Sequence, residues 1–270
     1  MSASGSDAAF VGSIPEIYER HLGPMLFVPF AGDLAARARA RVPRRVLEVA
    51  AGTGIVTRAL HAAFPEADIV ATDLNEGMLA HGARQLAAPN VTWRQADAGA
   101  LPFADAEFDL VVCQFGAMFF PDRARAFEEA FRVLVPGGRF LLNMWSSLEF
   151  NEIPRIVASA VAEAFPDDPP TFVERVPHGH SDADVTTAEL RAAGFSSVAV
   201  ETVDLPSRAP SAADPATGFC KGSPLRMQIQ ARDAERLDDI TDAATAAVAR
   251  RFGPGPIEAP MRALVYDAVK

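Results

Sequence analysis

In the segment Glu48-Val49-Ala50-Ala51-Gly52-Thr53-Gly54-Ile55-Val56-Thr57, two glycines follow a carboxylate and precede a helical pattern. Glycine has no Cβ, so Gly52 and Gly54 let a turn approach a bound molecule where other residues would collide. Nineteen residues beyond Gly54, Asp73 ends an apolar run. A carboxylate there can accept hydrogen bonds from both hydroxyls of a ribose. These are the parts of a nucleoside site, and their spacing alone leaves two ligand classes open. A dinucleotide site prefers a third glycine, as G-x-G-x-x-G, with a helix N-terminus facing the pyrophosphate. Thr57 occupies that third position, and Glu48 beside the turn would repel a pyrophosphate. A cofactor carrying a positively charged amino acid suits this turn better.

The elements that must position these groups follow from hydrophobic periodicity. Val46-Leu47-Glu48-Val49-Ala50 predicts a strand, and Ile55 to Phe64 a helix with Ile55, Ala59, Leu60 and Ala63 on one face. A strand at 67–71, a helix at 76–86 and a short strand at 91–93 follow. Phe108 to Cys113 is a continuous apolar run, the pattern of a strand covered on both faces. A helix from Arg123 to Leu134 is stopped by Pro136-Gly137-Gly138, and Arg139 to Trp145 is a fifth strand. Repeated strand-then-helix units with short connections predict a doubly wound, mostly parallel α/β sheet with helices on both faces. The expected organisation is a flexible N-terminus (1–13), a helical cap segment (14–42) and a core (43–204 with 261–270). A helical insertion (205–260) completes it. That insertion carries one amphipathic helix, Asp233 to Phe252, closed by Gly253, and Met261 to Val269 reads as a strand returning to the sheet.

Four blocks give the chain a specific likeness: VLEVAAGTGIVTRAL (46–60), ATDLNEGML (71–79), QADAGALPFADAEFDLVVCQFGAMFF (95–120) and FEEAFRVLVPGGRFLL (127–142). In order and spacing they resemble the class I S-adenosylmethionine-dependent methyltransferases, in the small-molecule group related to quinone-biosynthesis enzymes. The likeness covers roughly residues 40–204 and the terminal strand. It implies a seven-stranded Rossmann-like sheet with a helical cap, S-adenosylmethionine as cofactor and S-adenosylhomocysteine as product. It implies that Ala50, Gly52, Thr53 and Gly54 pass close to the methionine part, with Glu48 beneath, ordering the turn and the cofactor's amino group. Asp73 would hold the ribose, and Leu74 and Met78 would pack the adenine face. Asp97 would accept the exocyclic amine, and the Ala98 N–H would donate to a ring nitrogen. Gln114 would contact the methionyl amine, and Phe115 would wall the site near the methyl. The rival readings are an NAD(P)-dependent oxidoreductase on a similar sheet and a cofactor-binding protein that transfers nothing.

A general base is needed only if the acceptor keeps its proton at working pH. Tyr18 and His21 in the N-terminal segment, which folds over the cofactor in related enzymes, are the candidate catalytic groups. His61 and His81 are expected on helix surfaces. His178-Gly179-His180-Ser181-Asp182 alternates ligand types, but Pro177 and Gly179 oppose the extended strand that a metal site of this spacing needs, so no metal is expected. Phe27, Phe30, Met118, Phe119, Phe120, Trp145, Phe172 and Phe219 are expected near the open side of the crevice, favouring a lipophilic or planar acceptor.

Composition sets the outer bounds. The 270 residues are 49% apolar and 22% charged, which supports a real core. A net charge of −10 leaves no cationic excess for nucleic acid. Cys113 and Cys220 form no CxxC motif or disulfide framework, which fits a reducing compartment. Residues 1–13 lack the charge and apolar run of a signal peptide, and no run is long enough to span a bilayer. A cytoplasmic location is therefore expected.

Overall fold

β1 (Arg45–Val49) is buried from Val46 onward, as a strand covered on both faces must be. The computed structural model describes residues 12–270, so the N-terminal segment expected to be flexible lies, through residue 11, outside the described residues. Before β1 come α1 (Ile14–Ile17), a π-helix (Tyr18–Phe27) and α2 (Val28–Ala38). The wider π winding carries the chain past Pro24, which lacks the N–H of an α-helical bond, and Val28 N–H donates back to the Gly23 carbonyl.

After β1 the units repeat: α3 (Ile55–Ala63), β2 (Asp68–Asp73), α4 (Glu76–Gln85), β3 (Val91–Gln95) and β4 (Phe108–Gln114). α5 (Arg123–Val133) starts where the Asp122 carboxylate accepts Arg125 N–H and gives way to β5 (Leu134–Trp145). The chain continues through α6 (Glu152–Glu163), α7 (Phe172–Arg175) and α8 (Ala183–Ala192) into β6 (Ser197–Ala209). α9 (Ala213–Gly222), α10 (Leu225–Arg232) and α11 (Leu237–Phe252) precede β7 (Ile257–Val269).

Among the described residues, seven strands form one sheet in the order β3-β2-β1-β4-β5-β7-β6. β1 to β5 pair in parallel, and β7 runs antiparallel between β5 and β6. The order reverses direction between β1 and β4. Right-handed crossovers therefore place α3 and α4 on one face and α5 on the other. They also open a crevice beyond the carboxyl ends of β1 and β4, where Gly52 and Phe115 lie. The expected doubly wound sheet is the observed one.

Several boundaries differ from the sequence expectation: β5 begins at Leu134 rather than Arg139 and takes in Pro136-Gly137-Gly138, which the sequence reads as the break before the strand. β6 runs to Ala209, past position 204, and β7 begins at Ile257 rather than Met261. Pro206 stands opposite Pro260 in that ladder, and prolines argue against strand in a sequence. Asp233 also lies outside α11, capping a short 3₁₀ turn that precedes the helix. No helix among the described residues is long and apolar enough to cross a membrane.

Candidate active site

The turn after β1 is wound tightly in the left-handed region: Ala50, Gly52 and Gly54 have φ of 56°, 57° and 78°. For Ala50 that conformation costs on the order of 1–3 kcal/mol, a strain that clusters at functional sites. The turn after β4 mirrors it, with Phe115 at φ 51°. The two turns touch so closely that a Cβ on Gly116 would lie 2.4 Å from Ala50 Cβ. Residue 116 must be glycine for that contact, a requirement invisible in the sequence because the partner lies 66 positions away.

Asp73 Oδ2 accepts Gly52 N–H at 2.8 Å and Oδ1 accepts Asn75 N–H at 2.8 Å, so the end of β2 is tied to the β1 turn. Burial nevertheless pushes the Asp73 carboxyl above the usual range. Glu48 lies beneath the turn, 1% exposed, accepting Thr57 Oγ1–H at 2.5 Å. Burial pushes it up to about 8, against the Thr57 hydrogen bond, and Asp73 adds to the rise. Gln114 Nε2 donates to the Phe27 carbonyl at 3.2 Å, which fixes the amide's orientation. Its Oε1 is buried with no donor among the described residues. A buried carboxyl under desolvation strain and an orphaned amide oxygen at the ends of β1 and β4 fit a ligand that brings a cation. They do not fit a pyrophosphate.

The adenine-side candidates are more open. Met78 is buried, with its methyl 3.5 Å from where a Gly52 Cβ would stand, whereas Leu74 is 62% exposed. Ala96 N–H donates to the Asp73 carbonyl, which sets the Asp97-Ala98 turn beside the end of β2. Asp97 is exposed, its Oδ1 accepting Gly99 N–H at 2.8 Å.

Beside the turns lies an aromatic-lined cavity, partly open to solvent. Tyr18, Leu22, Leu26 and Phe27 of the π-helix line it, with Phe115 after β4 and Trp145 at the end of β5. The Phe115 and Trp145 rings stack at 3.8 Å, and Tyr18 stacks on Phe27 at 4.8 Å. Burial, with Glu19 and Asp73 nearby, pushes the Tyr18 phenol far above its ordinary range, so it stays protonated. Of the aromatic and Met positions expected at the crevice, Phe27, Met118, Phe119, Trp145, Phe172 and Phe219 line the cavity. Phe30 does not; it is fully buried, edge-on to Phe115 and Trp145 at 5.3 and 5.4 Å. Phe120 also lies outside the lining.

The histidines fall differently from expectation. His21 lies outside the cavity lining, its Nδ1 3.0 Å from Asp214 Oδ1, joining the π-helix to α9. Burial raises the Asp214 carboxyl, but hydrogen bonds from Ser211 and His21 outweigh it and hold the group below its usual range. His81 is 8% exposed rather than on the surface, because the buried stripe of α4 takes in Met78, Leu79, His81 and Gly82 together. His61 is half-buried. His178 reaches the cavity, with its Nδ1 2.7 Å from the Ser146 carbonyl, while Asp182 caps α8. His178, Ser207, Asn151 and Ser223 are polar groups of the cavity that sequence reasoning does not assign to it. The spacing around His178 raises only metal ligation, and Ser207 stands within the expected insertion.

Comparison with known proteins adds to this geometry. A family model described as a methyltransferase domain matches residues 46–138. A demethylmenaquinone methyltransferase of Deinococcus radiodurans is 42% identical over 113 residues, which is 40% of this chain and 46% of that protein. A ubiquinone/menaquinone biosynthesis C-methyltransferase of Proteus mirabilis is 31% identical over 172 residues, 57% of this chain and 67% of that protein. The solved structure of YcgJ from Bacillus subtilis shares the fold, with a TM-score of 0.58 at 23% identity, over 89% of this chain and 97% of that one. The chain spans about half the length of the curated relatives it matches first, 46%, 59% and 47%.

Proposed function

We propose that this chain, which belongs to the class I S-adenosylmethionine-dependent methyltransferases, passes that cofactor's methyl group directly to an uncharged, lipophilic small molecule held in the aromatic cavity. The observation that carries this reading is a shared wall. Phe115 lines the cavity and follows Gln114 at the strand end whose turn packs on Ala50. Tyr18 lines it too and feels the charge of Asp73.

In this reading Asp73 receives the ribose hydroxyls, and Glu48 with Gln114 Oε1 faces the cationic amino acid end. Ala50, Gly52, Thr53 and Gly54 form the turn around the methionine part. Leu74 and Met78 flank the adenine, and Asp97 with the Ala98 N–H meets its edge. S-Adenosylmethionine, when bound, supplies a methyl group already activated on a sulfonium. The chain's own task is to align an acceptor and keep water out, both of which lower the barrier by fixing geometry. Leu22, Leu26 and Phe27 cover the cavity from the π-helix, and the stacked Phe115 and Trp145 rings give it a flat wall. A quinone-type ring, the class named in the relatives' descriptions, has the flat apolar character that such a wall takes.

Millimolar S-adenosylhomocysteine should raise the melting temperature, since a ligand bound only by the native state stabilises it by mass action. Asp73→Ala should weaken that binding on the order of tenfold or more, because hydrogen bonds to a charged acceptor are worth about 1.5–3 kcal/mol. Absence of a thermal shift at millimolar ligand, or unchanged affinity of Asp73→Ala by calorimetry, would sink the assignment.

A further inference from the structure

Among the described residues lining the cavity there is no Asp, Glu, Lys or Arg, so its occupant is recognised by shape and a few neutral polar groups. Most of those groups are already engaged. Asn151 Nδ2 donates to the Ser146, Ser147 and Arg262 carbonyls, and its Oδ1 accepts Arg262 N–H. Ser223 Oγ donates to the Phe219 carbonyl at 2.7 Å and accepts Leu225 N–H. His178 and Ser207 differ. A carbonyl can only accept, so the 2.7 Å contact with the Ser146 oxygen puts the His178 proton on Nδ1. Nε2 is then a lone-pair acceptor, and it has no hydrogen-bond donor among the described residues. Ser207 is 1% exposed, and its Oγ is buried with no partner among the described residues. Its place on β6 turns it inward, between exposed Arg208 and half-buried Pro206.

We propose that His178 Nε2 and Ser207 Oγ form a hydroxyl-binding point in the cavity, which selects an uncharged planar acceptor bearing a ring hydroxyl. The inference rests on the reading of this cavity as the acceptor site and narrows the acceptor's class. A ring hydroxyl donates to Nε2, and its oxygen or a neighbouring ring oxygen accepts from Ser207. An apolar ring without a hydroxyl leaves both groups unpaired, which is the basis of selection in buried sites. Burial pushes the imidazole down to about 4, so Nε2 keeps its lone pair across the physiological range.

The test uses the full chain saturated with S-adenosylhomocysteine, and compares 1-naphthol with 1-methoxynaphthalene by calorimetry. The methyl ether keeps the ring and removes the donor. Wild type should bind 1-naphthol about fivefold to tenfold more tightly, the range of one buried hydrogen bond. That preference should be constant from pH 5.5 to 8, because His178 does not titrate there. His178→Phe should abolish it while leaving 1-methoxynaphthalene affinity in place. The Ser146 carbonyl keeps the Asn151 donor in that variant. Ser207→Ala should reduce the preference by a smaller factor and serves as the second variant. Equal binding of both probes by wild type overturns the proposal, as does a preference that survives both substitutions. A wild type with no thermal response to S-adenosylhomocysteine strikes the cofactor reading, and this inference with it. A normal response without a naphthol preference strikes this inference alone.

Discussion

Glu48 concentrates the electrostatic conflict of the site in one side chain. It is 1% exposed, its hydrogen-bond donor is the neutral Thr57 hydroxyl, and Asp73 bears on it with the same charge. Its carboxyl stands near 8 when folded and near an ordinary 4.5 when unfolded. Between those values the native state holds a proton that the unfolded state has released, so stability falls as pH rises through that window. Above about 8 the full penalty is present; below about 4.5 it vanishes. Every tenfold difference in proton affinity between the two states is worth about 1.4 kcal/mol, so the loss amounts to a few kcal/mol. Glu48→Gln keeps an acceptor for Thr57 and cannot ionise. Urea unfolding should show the variant more stable than wild type at pH 8.5 and close to it at pH 5. Parallel pH profiles for the two proteins would place the titration on another residue. The sequence already marks Glu48 by its place before the Gly-rich turn. It does not mark Gln114 Oε1 as an orphan, because that depends on Phe27 taking the amide's other end.

At the scale of elements, the turn after β1 is held by a wedge. The half-buried Trp93 ring of β3 stands against α4 and the start of α3. A Cβ on Gly82 would lie 2.6 Å from Trp93 Cζ3 and 3.1 Å from the Thr53 carbonyl carbon, and one on Gly54 would lie 2.3 Å from Trp93 Cη2. Trp93 Nε1–H donates to the Leu86 carbonyl at 3.2 Å, fixing the ring in place. An alanine in mid-helix ordinarily gains about 1 kcal/mol over glycine. Here the clash outweighs that gain, since overpacking costs typically about 1–3 kcal/mol, and the turn at Thr53 must move. Gly82→Ala should therefore lower both the melting temperature and the affinity for S-adenosylhomocysteine. Trp93→Leu in the same chain should recover part of both losses, and a double-mutant cycle reads that coupling directly. Additive effects would show that Trp93 and Gly82 do not constrain one another. β1 and β4 are legible as strands because their apolar runs need no partner to be recognised. Gly82 and Gly116 are not, because a glycine's reason lies in what occupies the space beside it.

Across the whole molecule, the sheet core is legible in the sequence in detail and its cover only in outline. β1 to β5 and their helices repeat a local pattern that periodicity reads well. The antiparallel β6–β7 pair extends beyond it through the facing prolines Pro206 and Pro260, and the helices that cover the cavity carry mixed patterns. The cover shares the sheet's hydrophobic core and is tied to it by polar contacts as well. Glu19 on the π-helix accepts from Thr53 Oγ1 and pairs with Arg58, while Arg58 Nη1 donates to the Thr53 carbonyl at 2.9 Å. At its other side the π-helix meets the cap through His21 and Asp214. A single helix thus touches the turn after β1 through Glu19, the cavity through Tyr18 and α9 through His21. If Glu19 anchors that helix, Glu19→Gln removes the ion pair with Arg58 while leaving the apolar cover in place. Amide hydrogen exchange over residues 18–27 should then quicken on the order of tenfold, the equivalent of about 1.4 kcal/mol in local opening. Exchange in β1 and β4 should stay unchanged, since local opening of the cover does not require the sheet to unfold. S-Adenosylhomocysteine should slow exchange over the π-helix in wild type and do so less in the variant, because Thr53, which belongs to the proposed cofactor turn, is also Glu19's hydrogen-bond partner. A uniform rise in exchange across the sheet would mean general destabilisation. An unchanged π-helix would mean that its apolar contacts hold it without the Glu19 anchor.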